Sequence, residues 1–277
     1  MMKKFDMKRF GQVLKLDFAE GRKTMMWGAL CMTLLYLFFF WFAWNIGFHD
    51  SRFDYINNPD ERLRLQVSVI CEAVGSFSAI AMFFFLLIGA STLYRGEQKK
   101  QQRIAWLMLP ASNREKFLSR WIYLVVFSLV GGLLSFFVAD LAHIAYLWMS
   151  DNPVMTTIDD FFYIMPHVPE GGGIIDLLST IMMYSFLIAL HAFYLLGGVF
   201  FKKFHFIAVS ALVVILFVGF VGVFNMLVSP GQPNPVSHTF YYISVTIFWT
   251  LVITLFTWLA YRLFCRWQVV THKFANV

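Results

Sequence analysis

Residues 24–48 read TMMWGALCMTLLYLFFFWFAWNIGF and contain no Asp, Glu, Lys or Arg. A helix crosses the hydrocarbon core of a bilayer with about 20 mostly apolar residues, so this stretch predicts a membrane-spanning helix. The whole chain has the same character, since 59% of its residues are hydrophobic and only 14% are charged, against about 25% charged in ordinary soluble proteins. The predicted fold class is therefore all-α, a polytopic helical membrane protein.

Five further apolar stretches follow the first one. Residues 67–92 carry only Glu72 as a charged side chain, and residues 121–148 carry only Asp140. The last long stretch, 204–261, has no charged residue but is interrupted by SPGQPNPVSHT, whose prolines and glycine predict a turn. The six predicted spans are residues 24–48, 67–92, 121–148, 177–200, 206–228 and 240–264, between cytoplasmic segments at 1–23 and 265–277.

The basic residues are distributed very unevenly about these spans. Of the 22 Lys and Arg residues, all except Arg52, Arg62 and Arg64 fall on one side of the predicted membrane. Basic loops remain in the cytoplasm, and an even number of spans puts both termini on the same side. The sequence therefore predicts a protein integral to the cytoplasmic (inner) membrane, with both termini in the cytoplasm.

The net charge of +6 is explained by this topology and by contact with lipid headgroups. No zinc-finger spacing or interleaved aromatic and basic pattern supports nucleic-acid binding. Met7, Phe10, Leu14 and Phe18 recur at helical spacing before the first span. They predict an amphipathic helix lying at the cytoplasmic face of the membrane.

The segment between spans two and three contains a helix-breaking proline and a helix-capping motif, which a simple connection does not need. Pro110 stops a preceding helix, because it has no amide hydrogen and its ring crowds the preceding turn. Residues 96–108 therefore predict a short helix of their own. Ser112 and Glu115 then have the spacing of a capping box, which begins a new helix leading into span three. Together these features predict a cytoplasmic elbow.

YRGEQKKQQRIAWLMLPASNREKFLSRW, residues 94–121, resembles the segment between the second and third spans of ABC-type exporter permeases of the ABC-2 type. In that family an LP-[VA]-S/T-R-x-E-[FIV] element forms a coupling helix that docks on an ATPase. The matching residues here are Leu109, Pro110, Ala111, Ser112, Arg114, Glu115 and Phe117. The chain departs from the family between spans five and six, where it offers SPGQPNPVSHT instead of a re-entrant hairpin.

The resemblance implies a transport subunit that works as a homodimer or heterodimer of permeases among membrane lipids. ATP and Mg²⁺ would bind to a separate cytoplasmic ATPase, since the chain has no GxxxxGK[ST] phosphate loop. No HExxH or GxSxG motif occurs either, so we expect no catalytic residue, cofactor or metal site in this chain. The residues expected to dock the ATPase are Arg103, Leu109, Pro110, Ser112, Arg114, Glu115 and Lys116.

A few polar residues inside the spans form a second candidate site. Asp140 and His143 are three residues apart and share a helix face, while Glu72 lies in span two and His191 in span four. Such groups either belong to a proton or substrate path or form structural hydrogen bonds near the outer end of the spans. At 1.5 Å per residue, Asp140 lies about 30 Å along its helix from Arg120. This distance favours structural hydrogen bonds near the outer end of the span.

Two other functions stay open at this point. One is an ATP-independent membrane scaffold or sensor whose basic loop docks a regulatory protein. The other is an intramembrane enzyme that uses Asp140, His143 and His191. The transported substrate and the direction of transport are not encoded in any motif of the chain.

Overall fold

The computed structural model describes residues 5–47, 58–93, 104, 108–150, 152–153, 155–163, 173–201, 204–215 and 235–266. Helices account for nearly all of these ranges, and no strand occurs in them. In chain order the helices are α1 (Met7–Gly47), α2 (Pro59–Thr92), α3 (Asn113–Met149), α4 (Ile158–Tyr163), α5 (Ile174–Phe200), α6 (His205–Ile215) and α7 (Pro235–Arg266).

Five of the described helices, α1, α2, α3, α5 and α7, are long and apolar enough to cross a membrane. They coincide with predicted spans one, two, three, four and six. Predicted span five, 206–228, is described only as far as Ile215, which ends the short helix α6; its remainder lies outside the described residues. The predicted helix at 96–108 also lies outside them, except for Ile104 and Met108.

Several helices begin earlier than their hydropathy predicts, because polar caps set their ends. The Asn58 side chain accepts a hydrogen bond from the Asp60 amide at 3.1 Å, so α2 begins at Pro59 instead of near residue 67. Pro235 is the first residue of α7, a position where its missing amide hydrogen costs nothing.

Helix α1 differs most from the prediction. It runs without a break through the predicted boundary at residues 23 and 24, so the amphipathic segment and the first span are one helix of 41 residues. At 1.5 Å per residue its length is about 60 Å, roughly twice the thickness of a hydrocarbon core. The position of its amino-terminal part at a membrane surface stays a prediction.

The chain divides into two compact units. One unit comprises Met1–Lys15, Leu87–Leu124 and Pro166–Val277, and the other comprises Leu16–Leu86 and Val125–Met165. We call the first the elbow unit, after the predicted elbow that it contains. We call the second the outer-loop unit, because it contains the first part of the connection between predicted spans three and four, which the predicted topology puts outside the cytoplasm.

In the elbow unit, α5 packs along α7 through aromatic pairs. Phe186 meets Trp249 with ring centroids 5.0 Å apart, and Phe193 meets Phe256 at 5.1 Å. Gly198 allows α5 to approach the end of α2, since a Cβ atom there would lie 2.5 Å from the Ser91 carbonyl oxygen. Any larger residue at position 198 would push these two backbones apart.

The outer-loop unit has a hydrophobic core built from α1, α2, α3 and α4. Phe161 of α4 is fully buried and stacks on Phe136 of α3 with centroids 4.1 Å apart. Gly75 makes room for α4 on α2, because a Cβ atom at position 75 would lie 2.6 Å from Cβ of Asp160. Helix α4 is therefore packed against the core of this unit.

Candidate functional site

The turn that precedes α3 has the capping box predicted from its sequence. The Ser112 amide donates to Oε2 of Glu115 at 2.7 Å, and the Glu115 amide donates to Oγ of Ser112 at 3.3 Å. Each side chain thus satisfies an amide that the first turn of a helix leaves without a partner. Helix α3 begins directly after Ser112, at Asn113.

Glu115 also binds the beginning of α1, which the sequence did not predict. Its Oε1 accepts a hydrogen bond from the Asp6 amide at 2.7 Å and another from Nη2 of Arg9 at 3.2 Å. The Glu115 side chain is fully buried by these contacts, while the Arg9 side chain is 30% exposed. We call this arrangement of Asp6, Arg9, Ser112 and Glu115 the Glu115 clasp.

The next turn of α3 contacts the last span. Phe117 is buried, and its ring lies 5.5 Å from the Tyr261 ring and 5.6 Å from the Phe264 ring, measured between centroids. The positive charge of Arg114 also acts on the Tyr261 hydroxyl group. The beginning of α3 is thereby attached to α1 on one side and to α7 on another, within the elbow unit.

The predicted docking residues differ in their exposure. Pro110 and Arg114 are exposed, and Leu109 and Ser112 are partly exposed. Glu115 is fully buried and Lys116 is 2% exposed, so neither side chain lies on the surface that a partner would touch. Arg103 lies outside the described residues.

Asp140, in the outer-loop unit, accepts hydrogen bonds at both of its carboxylate oxygens. Its Oδ1 accepts from the Thr157 amide at 3.0 Å and from the Thr157 hydroxyl at 2.6 Å, and its Oδ2 accepts from the Thr156 hydroxyl at 2.9 Å. The carboxyl group is 1% exposed. These bonds hold the residues immediately before α4, so we call Asp140, Thr156 and Thr157 the Asp140 anchor.

The structural interpretation expected Asp140 to form hydrogen bonds near the outer end of its span. It does form them, but with Thr156 and Thr157 and not with His143. His143 shares a helix face with Asp140, yet neither of its ring nitrogens has a hydrogen-bond partner within the described part of the chain. The Thr-Thr pair before IDDFFY could have been suspected from sequence, because threonines commonly cap short helices. Their hydrogen bonds to Asp140 join residues that are 16 and 17 positions apart, so no local sequence pattern predicts them.

The other two predicted polar residues have separate surroundings. His191 belongs to the elbow unit, where its Nε2 accepts a hydrogen bond from Nε1 of Trp121 at 3.2 Å. Glu72 is exposed on α2.

Burial, reinforced by the negative charges of Glu72 and Asp159, raises the pKa of Asp160 above its ordinary value of 3.8. Protonation of Asp160 therefore favours the folded state, and this contribution is lost as pH rises through the raised pKa.

Comparisons with protein-family models, curated proteins and solved structures find no match to this chain. The Glu115 clasp and the Asp140 anchor must therefore be interpreted from their own chemistry. Each is a buried carboxylate of α3 that holds a segment distant from it in sequence.

Proposed function

We propose that this chain is the membrane-spanning permease subunit of an ATP-driven exporter, and that it transmits force through the elbow before α3. In this proposal both termini and the elbow face the cytoplasm, in an inner membrane. A separate ATPase binds and hydrolyses ATP with Mg²⁺, and the permease works as a homodimer or heterodimer.

The single observation that carries the proposal is the Glu115 clasp. A connection that only joined two spans would need no buried carboxylate with hydrogen bonds from Asp6, Arg9 and Ser112. The clasp attaches the beginning of α3 to the beginning of α1, and Phe117 attaches it to α7. A push on this turn would therefore move three helices at once.

The structure also changes which residues we expect to dock. The exposed surface of the elbow includes Met108, Pro110 and Arg114, of which Met108 is 80% exposed. In the revised proposal these residues contact the ATPase, while Glu115 acts inside the protein by holding α1. Docking and force transmission are thereby assigned to different side chains.

This division can be tested by co-purifying the chain with the ATPase encoded beside it. Arg114→Glu should lose co-purification, because it reverses the charge of an exposed docking residue. Glu115→Gln should still co-purify, since glutamine can form the capping box, but the stimulation of ATP hydrolysis by the permease should fall several-fold. Lys15→Glu, an exposed charge reversal elsewhere on α1, is the matched control.

Retained assembly and normal coupling in both variants would contradict the proposal. If no ATPase associates with the wild-type chain, while a regulatory protein is captured through Arg114, the alternative function is favoured. That alternative is an ATP-independent membrane scaffold or sensor with a basic docking loop.

A further inference from the structure

The outer-loop unit contains a cavity of about 220 Å³ between α1 and α3, near the carboxyl-terminal end of each helix. It is lined by aromatic and small apolar side chains around one imidazole. The lining residues are Leu37, Phe40, Trp41, Trp44, Ala142, His143 and Tyr146.

His143 is the unusual member of this lining. Its side chain is only 5% exposed, and neither Nδ1 nor Nε2 has a hydrogen-bond partner among the residues that the structure describes. The ring is fixed in place, because it stacks on Phe40 with centroids 4.2 Å apart and an interplanar angle of 20°. Trp44 meets it edge-on at 6.3 Å. Buried polar groups are normally hydrogen-bonded, so such a group requires an explanation.

The chemistry of the cavity limits what can occupy it. None of the lining residues carries a formal acidic or basic charge, apart from the ionisable imidazole, so the cavity does not suit a phosphate or an ammonium group held by ion pairing. A neutral imidazole has one donor and one acceptor nitrogen. It can therefore donate to an ester carbonyl and accept from a hydroxyl group of the same ligand.

The position of the cavity indicates the source of that ligand. His143 lies about 9 Å from Met149, the last residue of α3, at 1.5 Å per residue. Trp41, Trp44 and Tyr146 surround it, and such residues concentrate at the interface between the hydrocarbon core and water. Lipid esters and glycerol hydroxyls lie at this depth. At about 30 Å³ for each water-sized group, the cavity has room for roughly seven such groups, enough for the glycerol end of a lipid but not for a large headgroup.

We propose that this cavity binds the uncharged glycerol-ester end of a neutral membrane lipid, with His143 hydrogen-bonding its ester and hydroxyl oxygens. The stacked rings of Phe40 and His143 form one wall, and Trp44 and Tyr146, whose rings meet edge-on at 5.4 Å, form another. The proposal is independent of the exporter hypothesis, because the site can be occupied without an ATPase or transport.

The test uses the full chain in vesicles that contain a photoreactive diacylglycerol with its diazirine next to the ester. After illumination, mass spectrometry locates the label. We expect it on residues 37–44 and 142–146, and we expect unlabelled diacylglycerol to compete at least fivefold. His143→Phe keeps the ring stack on Phe40 but removes both nitrogens, so labelling of these peptides should fall at least fivefold.

Ala142→Phe provides a second variant that leaves His143 in place and fills the cavity from its exposed rim. Ala145→Phe is the matched control, because Ala145 is also exposed on α3 but does not line the cavity. The first substitution should abolish labelling and the second should preserve it, with all variants eluting as a single species. Undiminished labelling in His143→Phe or failure of competition would each overturn the proposal.

Discussion

Glu115 and Asp140 are two buried carboxylates on the same helix, α3, each in a different unit of the chain. Each accepts three hydrogen bonds from other residues, and each holds a segment that lies outside its own helix. The difference lies in the donors. Glu115 binds a cationic, partly exposed Arg9, whereas Asp140 has only neutral donors among the residues that the structure describes.

This comparison indicates that the two sites have different uses for a negative charge. At the Glu115 clasp, charge contributes directly, because a guanidinium lies 3.2 Å from the carboxylate and is accessible to ions in solution. At the Asp140 anchor, the oxygens serve as acceptors for hydroxyl and amide groups. A neutral acceptor can therefore replace much of what the Asp140 carboxylate does, whereas at Glu115 it keeps the capping box but loses the ion pair with Arg9.

The largest effect is expected from Asp140→Ala. It leaves the buried Thr157 amide and hydroxyl without an acceptor, and we expect the free energy of unfolding in detergent to fall by about 2–4 kcal/mol. The segment containing α4 should become sensitive to added protease. Asp140→Asn keeps one carbonyl oxygen and should lose much less. Asp159→Asn, a change at an exposed neighbour, should lose nothing; an equal loss there would contradict the anchor.

An intermediate effect is expected when the Glu115 clasp is removed. Glu115→Ala should lower the free energy of unfolding by about 1–3 kcal/mol, because the capping box is lost and two partners from α1 lose their acceptor. Combining Glu115→Ala with Arg9→Ala should cost less than the sum of the two single changes, since both remove the same contact. Strict additivity in this double-mutant cycle would show that the pair is not coupled.

The capping box at Ser112 and Glu115 was predictable because it depends on a spacing of three residues and on local backbone geometry. The Arg9 partner was not predictable, since it lies 106 residues away from Glu115 and many other arginines would have served equally well. Hydropathy located five of the helices, but these helices extend beyond the apolar stretches that a hydropathy profile registers. Asn58 and Ser112 begin α2 and α3 through polar caps that a hydropathy profile does not register.

The polar residues in the spans show the same limit. The spacing of three residues correctly predicted that Asp140 and His143 lie near each other. It gave no indication that threonines beyond the end of α3 would donate hydrogen bonds to the Asp140 carboxylate. Once those threonines occupy both oxygens, His143 is left with aromatic neighbours. The aromatic cavity therefore could not be derived from the spacing of polar residues alone.

The smallest effect concerns ionic strength and separates the two sites directly. Raising the salt concentration from 0.05 to about 0.5 M should weaken the partly exposed Arg9–Glu115 pair by about 0.2–0.5 kcal/mol. The stability lost in Glu115→Ala should shrink by that amount at high salt. The loss in Asp140→Ala should stay constant, and a salt dependence of equal size at both sites would remove the distinction between them.

The separation of 106 residues between Arg9 and Glu115 also has a consequence for synthesis. At roughly 5–20 residues per second, the beginning of α1 leaves the ribosome about 5–20 s before Glu115 is made. Asp140 needs only the next 16 or 17 residues, which take about 1–3 s at the same rate. The order of assembly is thus set by the order of translation: the Asp140 anchor closes soon after α3 is made, whereas Arg9 must stay without this partner until two spans have been inserted.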